Sequence, residues 1–374
     1  MWTFKHTPQP PEWRVNWPAI HDDFAWIRDM QGTMQEPQWH AEGDVHIHTR
    51  MVAEAMAGEE RWRALNELDR HITFAAALLH DVAKPACTKF EDGRWTSPNH
   101  TRVGERMTRL LMWKGEAGDI PDFQVREHVA KLVRYHGLPL NFLSKPDPAR
   151  AIIEASLHAN LNLLSLLALA DVTGRECEGK SELLDRIALF SEFSQEQECL
   201  HAPKAFASDH HRFIYFNAQK PYDYIPYDTT RFEVTIMSGL PASGKTTWAK
   251  SHAAEQPIIS LDELRHATDI DPADDQGPVI TAAKEQAKTY LRSHRPFIWD
   301  ATNLTRDMRR GLISLLSNYG AKSRIVYVEA PWEELHRRNR SRAHPVPESI
   351  IDRLATRLEM PSLTEAHRVD YVSS

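Results

Sequence analysis

Two hydrophobic periods divide the chain. Between about Gly43 and Gly174, apolar residues recur at three- and four-residue steps in Leu65–Leu79, Arg102–Met112, Val125–Tyr135 and Ile152–Ala170. That spacing predicts amphipathic helices. Turn signals separate them: Lys84-Pro85, Glu91-Asp92-Gly93, Ser97-Pro98-Asn99 and Gly137-Leu138-Pro139. No β-alternation interrupts the pattern, so an all-α domain is expected, with one more helix over Ser181–Cys199. From Arg231 the period changes. Short β-branched or aromatic runs at Glu233–Ser238, Pro257–Leu261, Pro296–Trp299 and Arg324–Glu329 alternate with helical stretches at Lys245–Ala254, Val279–Arg292, Arg306–Asn318 and Trp332–Arg342. Strand–helix alternation of this kind predicts an α/β domain with a parallel sheet.

The remaining segments complete a multi-domain layout. Residues 1–42, rich in Trp and Pro, read as an N-terminal arm packed on the helical domain of residues 43–200. Residues 201–230, dense in aromatics from Phe213 to Tyr227, read as an ordered linker to the α/β domain of residues 231–374. The linker's alternative is an aromatic platform for stacking bases.

With 374 residues, 41% hydrophobic and 26% charged, the chain has the composition of a globular protein. Its longest apolar run, Leu161–Ala170, is roughly half a membrane span, and no basic-then-apolar leader opens it. No membrane partner is expected. The three cysteines, Cys87, Cys177 and Cys199, are far apart without CxxC spacing, which fits a reducing cytoplasm. The net charge of −7 is uneven. Residues 1–230 hold 25 Lys+Arg against 33 Asp+Glu, and residues 231–374 hold 20 against 19. A broad nonspecific nucleic-acid surface is therefore excluded, while a small cationic site in the second half is not.

Gly239-Leu240-Pro241-Ala242-Ser243-Gly244-Lys245-Thr246 is a complete GxxxxGK[ST] loop between a predicted strand and a predicted helix. Its backbone N–H groups can cradle phosphates, with Gly239, Ser243, Gly244, Lys245, Thr246 and Thr247 as the ATP and Mg²⁺ set. Asp262, at the end of the second strand, can accept a proton from an incoming hydroxyl while Arg265 holds a phosphate on that acceptor. Asp300, Thr302 and Asn303 end the third strand at the same edge, placed to orient Mg²⁺ or the acceptor. The Arg337–Arg342 cluster can close over a triphosphate.

The other signal is His80-Asp81 after the apolar run Phe74–Leu79, with His48 before it and His100, His128, His136 and Asp171 after it. Imidazoles and carboxylates converging from several helices suit one or two ions of Mn, Fe, Co, Ni or Zn. His46 and His128 compete for neighbouring roles. Lys84 stands near enough in sequence to meet a substrate phosphate.

These motifs carry resemblances. The ordered set H…HD…H…H…D over residues 43–175 resembles the HD phosphohydrolase superfamily. It implies a metal set of His48, His80, Asp81 and Asp171, with His100 and His136 on a second metal or the substrate phosphate. The phosphate loop, Ser260-x-Asp262-x-x-Arg265, Asp300-x-Thr302-Asn303, the Arg338-to-Arg342 lid and Val346-Pro347 resemble the 5′-OH polynucleotide kinases of RNA repair. That likeness implies Asp262 as general base, Arg265 on the acceptor phosphate, and Arg338 and Arg342 on ATP. Ala242 stands where many members have Gly. Together the halves resemble the bifunctional bacterial HD-phosphohydrolase–polynucleotide kinases, whose partners are RNA or DNA ends bearing 5′-OH and 2′,3′-phosphate. The alternatives are a nucleotide-metabolism enzyme with a small-molecule kinase, or an ATP-gated regulatory HD protein. The sequence does not set the oligomeric state; a homodimer is compatible with it.

Overall fold

The computed structural model describes residues 1–269 and 274–373. The chain divides into two units, Met1–Lys204 and Ala205–Ser374.

The first unit is helical. Its main helices are Val45–Gly58, Glu67–Leu79, His100–Trp113, Phe123–Tyr135, Pro148–Ser156, Leu161–Thr173 and Lys180–Glu196. Side-chain oxygens start several of them: Asp44 accepts from Ile47 N, Asn66 from Asp69 N and Asp122 from Val125 N, each at 2.9 Å. In the Glu67–Leu79 helix, residues 74–79 are all fully buried, so its C-terminal half is apolar on every side and runs through the core. The N-terminal arm is part of that core. Phe4, Ile20, Phe24, Trp26, Ile27 and Met30 are buried, and the Phe4 ring stacks on Phe24 at 5.8 Å.

Two readings of this unit are corrected. The apolar stretch Ile152–Ala170 is not one helix but two, which turn by 108° between Ser156 and Leu161. The second begins at Asn160, whose side chain accepts from the N–H groups of Asn162 and Leu163, a cap that competes with helix continuation. No single helix among the described residues is long and apolar enough to cross a membrane. The unit also contains a hairpin. β1 (Lys89–Glu91) and β2 (Arg94–Thr96) pair antiparallel around Asp92 and Gly93, both at positive φ (53° and 77°), the conformation that Asp-Gly favours in tight hairpin turns.

The second unit holds a five-stranded sheet of β3 (Phe232–Ser238), β4 (Ile258–Ser260), β5 (Ile298–Asp300), β6 (Ala321–Glu329) and β7 (Arg368–Ser373). The order is β4-β5-β3-β6-β7, and every neighbouring pair is parallel. Central β3 is buried from Val234 onward and delivers the chain to the phosphate loop. The segment read as a linker belongs to this unit. Residues Asp209–Asn217 form a helix capped by Ser208. Its Phe213 is buried with Val234 and Ile236, and Arg212 Nη2 donates to His367 O at 2.6 Å. Phe213 and Tyr215 there serve packing, because burying them repays the ordering of the chain, while Tyr224 and Tyr227 are exposed.

Candidate active sites: a histidine–aspartate pocket and a phosphate loop

Five helical segments of the first unit bring His48, His80, Asp81, His100, His136 and Asp171 together. His48 and Asp171 lie within their helices, His80-Asp81 and His136 follow directly after helix ends, and His100 begins one. Three of the rings are oriented by the same device. Nδ1 of His80, His100 and His136 donates to the carbonyl three residues earlier, on Ala77, Ser97 and Val133, at 2.8, 2.7 and 2.8 Å. A carbonyl can only accept, so Nδ1 keeps the proton and Nε2 of the neutral ring presents its lone pair. Burial pushes His100 down and His136 down to about 3, whereas at His80 burial is outweighed by the facing Asp81 and Asp171 carboxylates, which raise it.

Two donor groups result: His48, His80 and Asp171, then Asp81, His100 and His136. Within each, the candidate ligand atoms lie within 4.8 Å of one another. His48 Nε2 is 3.3 Å from His80 Nε2 and 3.1 Å from Asp171 Oδ1. Asp81 spans both groups. Its Oδ2 is 3.2 Å from His80 Nε2, while Oδ1 faces His100 at 3.7 Å and His136 at 3.9 Å. That Oδ1 is buried without a hydrogen-bond partner. A buried carboxylate oxygen left so is costly unless a cation meets it. Orphaned oxygen, oriented Nε2 lone pairs and mixed N/O donors fit one or two divalent transition ions.

The sequence pattern had not singled out Glu42, His40 or Arg175. Glu42 Oε1 sits 2.8 Å from Nδ1 of both His40 and His48, and its other oxygen accepts the Glu176 N–H. Burial opposes charge on this carboxyl, yet those neighbours hold it well below the ordinary range. Arg175 grips Asp171 through Nε at 3.0 Å and through Nη2, an i,i+4 pair that its spacing could have flagged. Lys84 Nζ lies 2.7 Å from Asp81 Oδ2 and 2.6 Å from Gln35 Oε1. His46 and His128 are elsewhere: His46 meets His21 at 3.1 Å, and His128 accepts the Asn160 N–H. Asp81, Lys84, His100, His136 and Arg175 line a cavity of about 340 Å³.

Gly174 sets the spacing of this site. A Cβ there would stand 2.7 Å from Val52 N and 2.9 Å from Met51 C, backbone atoms of the helix that carries His48. Gly174→Ala is expected to force that helix away from Asp171. It should cost about 1–3 kcal/mol, as over-packing does, and lower bound metal per chain. Thermal unfolding and metal analysis check this; unchanged values in both would remove Gly174 from the site's architecture.

In the second unit the loop begins at Gly239, at φ +145°, where a Cβ would meet Val328 O at 2.4 Å; only glycine fits. Gly244, at φ +105°, ends the loop before the Lys245–His252 helix. Lys245 Nζ donates to Leu240 O at 2.8 Å, curled against the loop. Burial pushes its ammonium down to about 8, opposed by Asp300 and Asp262 and assisted by Arg342. Thr246 Oγ1 donates to Asp300 Oδ2 at 2.6 Å, so hydroxyl and carboxylate face each other where Mg²⁺ would be held. Thr247 follows on the same helix. Asp262 pairs with Arg265 Nη1 and is 65% exposed in its side chain, while Arg265 Nε donates to Gln276 Oε1 at 2.8 Å. Arg338 Nη1 approaches Gly244, within 3.7 Å of the place of a Cβ, and Glu334 holds its Nε at 2.6 Å.

One expectation about the third strand's end is corrected. Asn303 is not available to an acceptor: it is buried, and its Nδ2 donates to Met237 O at 2.8 Å. Asp300 is engaged by Thr246 on the metal side, and Thr302 lends its carbonyl to the Gly239 N–H at 3.0 Å. Asn303 and Thr302 thus shape the loop from below.

Residues 45–174 match the HD domain family, and residues 234–361 match an AAA domain family. The chain therefore joins an HD domain to a kinase-like P-loop domain. Over 135 residues it is 24% identical to L-seryl-tRNA(Sec) kinase of Methanococcus maripaludis, a match covering 34% of this chain and 52% of that protein. The chain thus spans about half the length of this curated relative. Solved structures similar to it include a sugar kinase from Janibacter sp. HTCC2649 (22% identity, 38% of this chain, 85% of that one, TM-score 0.30). Kti12 of Chaetomium thermophilum in complex with ADP-AlF3 is another (21% identity, 37% and 88%, TM-score 0.29).

Proposed function

We propose that this chain heals both kinds of broken nucleic-acid end. The kinase unit transfers the γ-phosphoryl group of ATP to a 5′-OH polynucleotide end, releasing ADP. The HD unit hydrolyses a 2′,3′-cyclic, 2′- or 3′-phosphate end. The observation that carries the reading is Asp262: a base paired with Arg265, near Lys245, yet left open to solvent. An open acceptor side suits a polymer end, which projects away from the site, better than a small metabolite that must be enclosed.

In the kinase unit Asp262 takes the proton of the attacking hydroxyl and Arg265 holds the adjoining phosphate. Lys245, Arg338 and Arg342 neutralise the transferring group. Thr246 and Asp300 would hold Mg²⁺, whose chemistry there is further charge neutralisation. In the HD unit His48, His80, Asp81, His100, His136 and Asp171 would hold one or two transition ions, whose chemistry is Lewis acidity toward the phosphoryl group. Lys84 and Arg175 border the same cavity and bring cationic donors to the phosphate oxygens.

The deciding experiment mixes labelled ATP, Mg²⁺ and a 5′-OH oligoribonucleotide with the protein. Label on the 5′ end that persists under excess free nucleoside is expected. Transfer to the nucleoside instead, or ATP consumption with no transfer, would overturn the polynucleotide reading.

A further inference from the structure

The cavity above the histidine–aspartate cluster has two parts. Its floor is polar and ionic, but its wall includes Trp39 and Trp95. Neither indole is core material: Trp39 is 45% exposed and Trp95 is half-buried. They come from segments far apart in the chain, and Glu36 ties these together. Its carboxylate accepts the Trp95 backbone N–H at 2.9 Å, and its carbonyl accepts the backbone N–H groups of Trp39 and His40 at 3.0 Å each.

The hairpin that carries Trp95 does little for the core. All of β1 is exposed, and Phe90, 59% exposed, sets its ring 4.9 Å from the Trp95 ring. Burial of apolar surface therefore does not explain why Lys89–Thr96 is ordered there. What the hairpin does is place the Trp95 side chain in the cavity wall, its backbone tied to Glu36. An aromatic face beside a cationic, metal-ligating floor matches one kind of ligand: a planar base attached through ribose to a phosphate.

We propose that Trp39 and Trp95 form a nucleobase subsite, on which the base of the terminal nucleotide stacks while its 2′- or 3′-phosphate lies over Asp81, His100 and His136. The subsite makes the HD unit selective for nucleoside phosphates over phosphate esters without a base. Stacking is sequence-tolerant, because every base offers a π-face. This proposal rests on the end-healing reading of the same cavity.

The test uses the full chain and the variants Trp95→Ala, Trp39→Ala and Trp95→Phe. Binding is followed with 2-aminopurine riboside 2′,3′-cyclic phosphate, whose fluorescence is quenched by stacking. Hydrolysis is followed on RNA ending in adenosine 2′,3′-cyclic phosphate and on the same RNA ending in an abasic ribose 2′,3′-cyclic phosphate. Wild type should quench the probe, and the alanine variants should not. Their kcat/KM on the adenosine end should fall on the order of 5- to 150-fold, the usual range for losing one base–aromatic stack. The abasic end should be nearly unaffected, and Trp95→Phe should restore most of the loss. Failure of wild type to quench, or equal losses on both ends, would overturn the subsite. Quenching by wild type that hydrolyses neither end would leave the subsite standing and overturn the end-healing reading instead.

Discussion

Asp81→Asn is expected to lose phosphate-end hydrolysis on the order of 10³-fold or more while leaving 5′ phosphorylation intact. Replacing a residue that merely supports a metal ligand commonly costs about 10–100-fold, and Asp81 is the carboxylate placed between both donor groups. The amide keeps the side chain's shape but removes its charge. An ion near His100 and His136 would then have no anionic donor from that group, so bound metal per chain should fall as well. Lys84, 2.7 Å from Asp81 Oδ2, loses its buried partner, which itself lowers the stability of the first unit. Hydrolysis of a 2′,3′-cyclic phosphate end and metal analysis measure the effect, with kinase activity as the control. Retained hydrolysis would remove Asp81 from the reaction.

Lys245→Ala should produce the opposite pattern: phosphoryl transfer reduced about 10³-fold, in the range found for deleting a charge stabiliser at a transferring phosphoryl group, with hydrolysis of phosphate ends unchanged. Asp262→Ala should fall by a comparable amount, about 10²–10⁴-fold for loss of a general base, with ATP binding retained. The protonation of Lys245 adds a second signature. Burial lowers its ammonium to about 8, so the cation is present at pH 7 and is lost as pH rises past that value. The profile of kcat/KM for ATP reports ionisations of the free enzyme. It should decline above pH about 8, and that limb should be absent from the residual activity of Lys245→Ala. If either substitution eliminated both activities, the two sites would not be independent.

How much of this was readable beforehand differs by residue. The phosphate loop is a contiguous pattern whose glycines answer to local sterics, so Gly239 to Thr247 identified themselves. His80-Asp81 was legible because it follows an apolar run that had to be a buried helix, with His48 before it and His100, His136 and Asp171 after it in chain order. Asn303 was misread for a simple reason. Its position at the carboxyl edge of a strand signals function, but its amide fixes the Met237 carbonyl. β7 was missed because an edge strand with half its residues exposed, spelled Arg-Val-Asp-Tyr-Val-Ser, lacks a continuous apolar run. β1 and β2 were missed because three-residue strands are too short for alternation to register. Glu42 carries no spacing signal at all, since an outer carboxylate is placed by the fold and not by its distance from His48 along the chain.

The sequence alone determined the two chemistries on offer, a phosphate-cradling loop and a set of imidazole and carboxylate donors, because short-range sterics and helix periodicity set both. Only the tertiary structure decided how those donors are used. His48 and Asp171 stand 123 positions apart and meet because Gly174 lets two helices touch. Asp81 has one oxygen committed to Lys84 and His80 and the other unpaired toward His100 and His136. Trp39 and Trp95 share a wall because Glu36 bonds to both segments. These are consequences of close packing among elements remote in sequence, where a shift of one methyl group changes which atoms face each other.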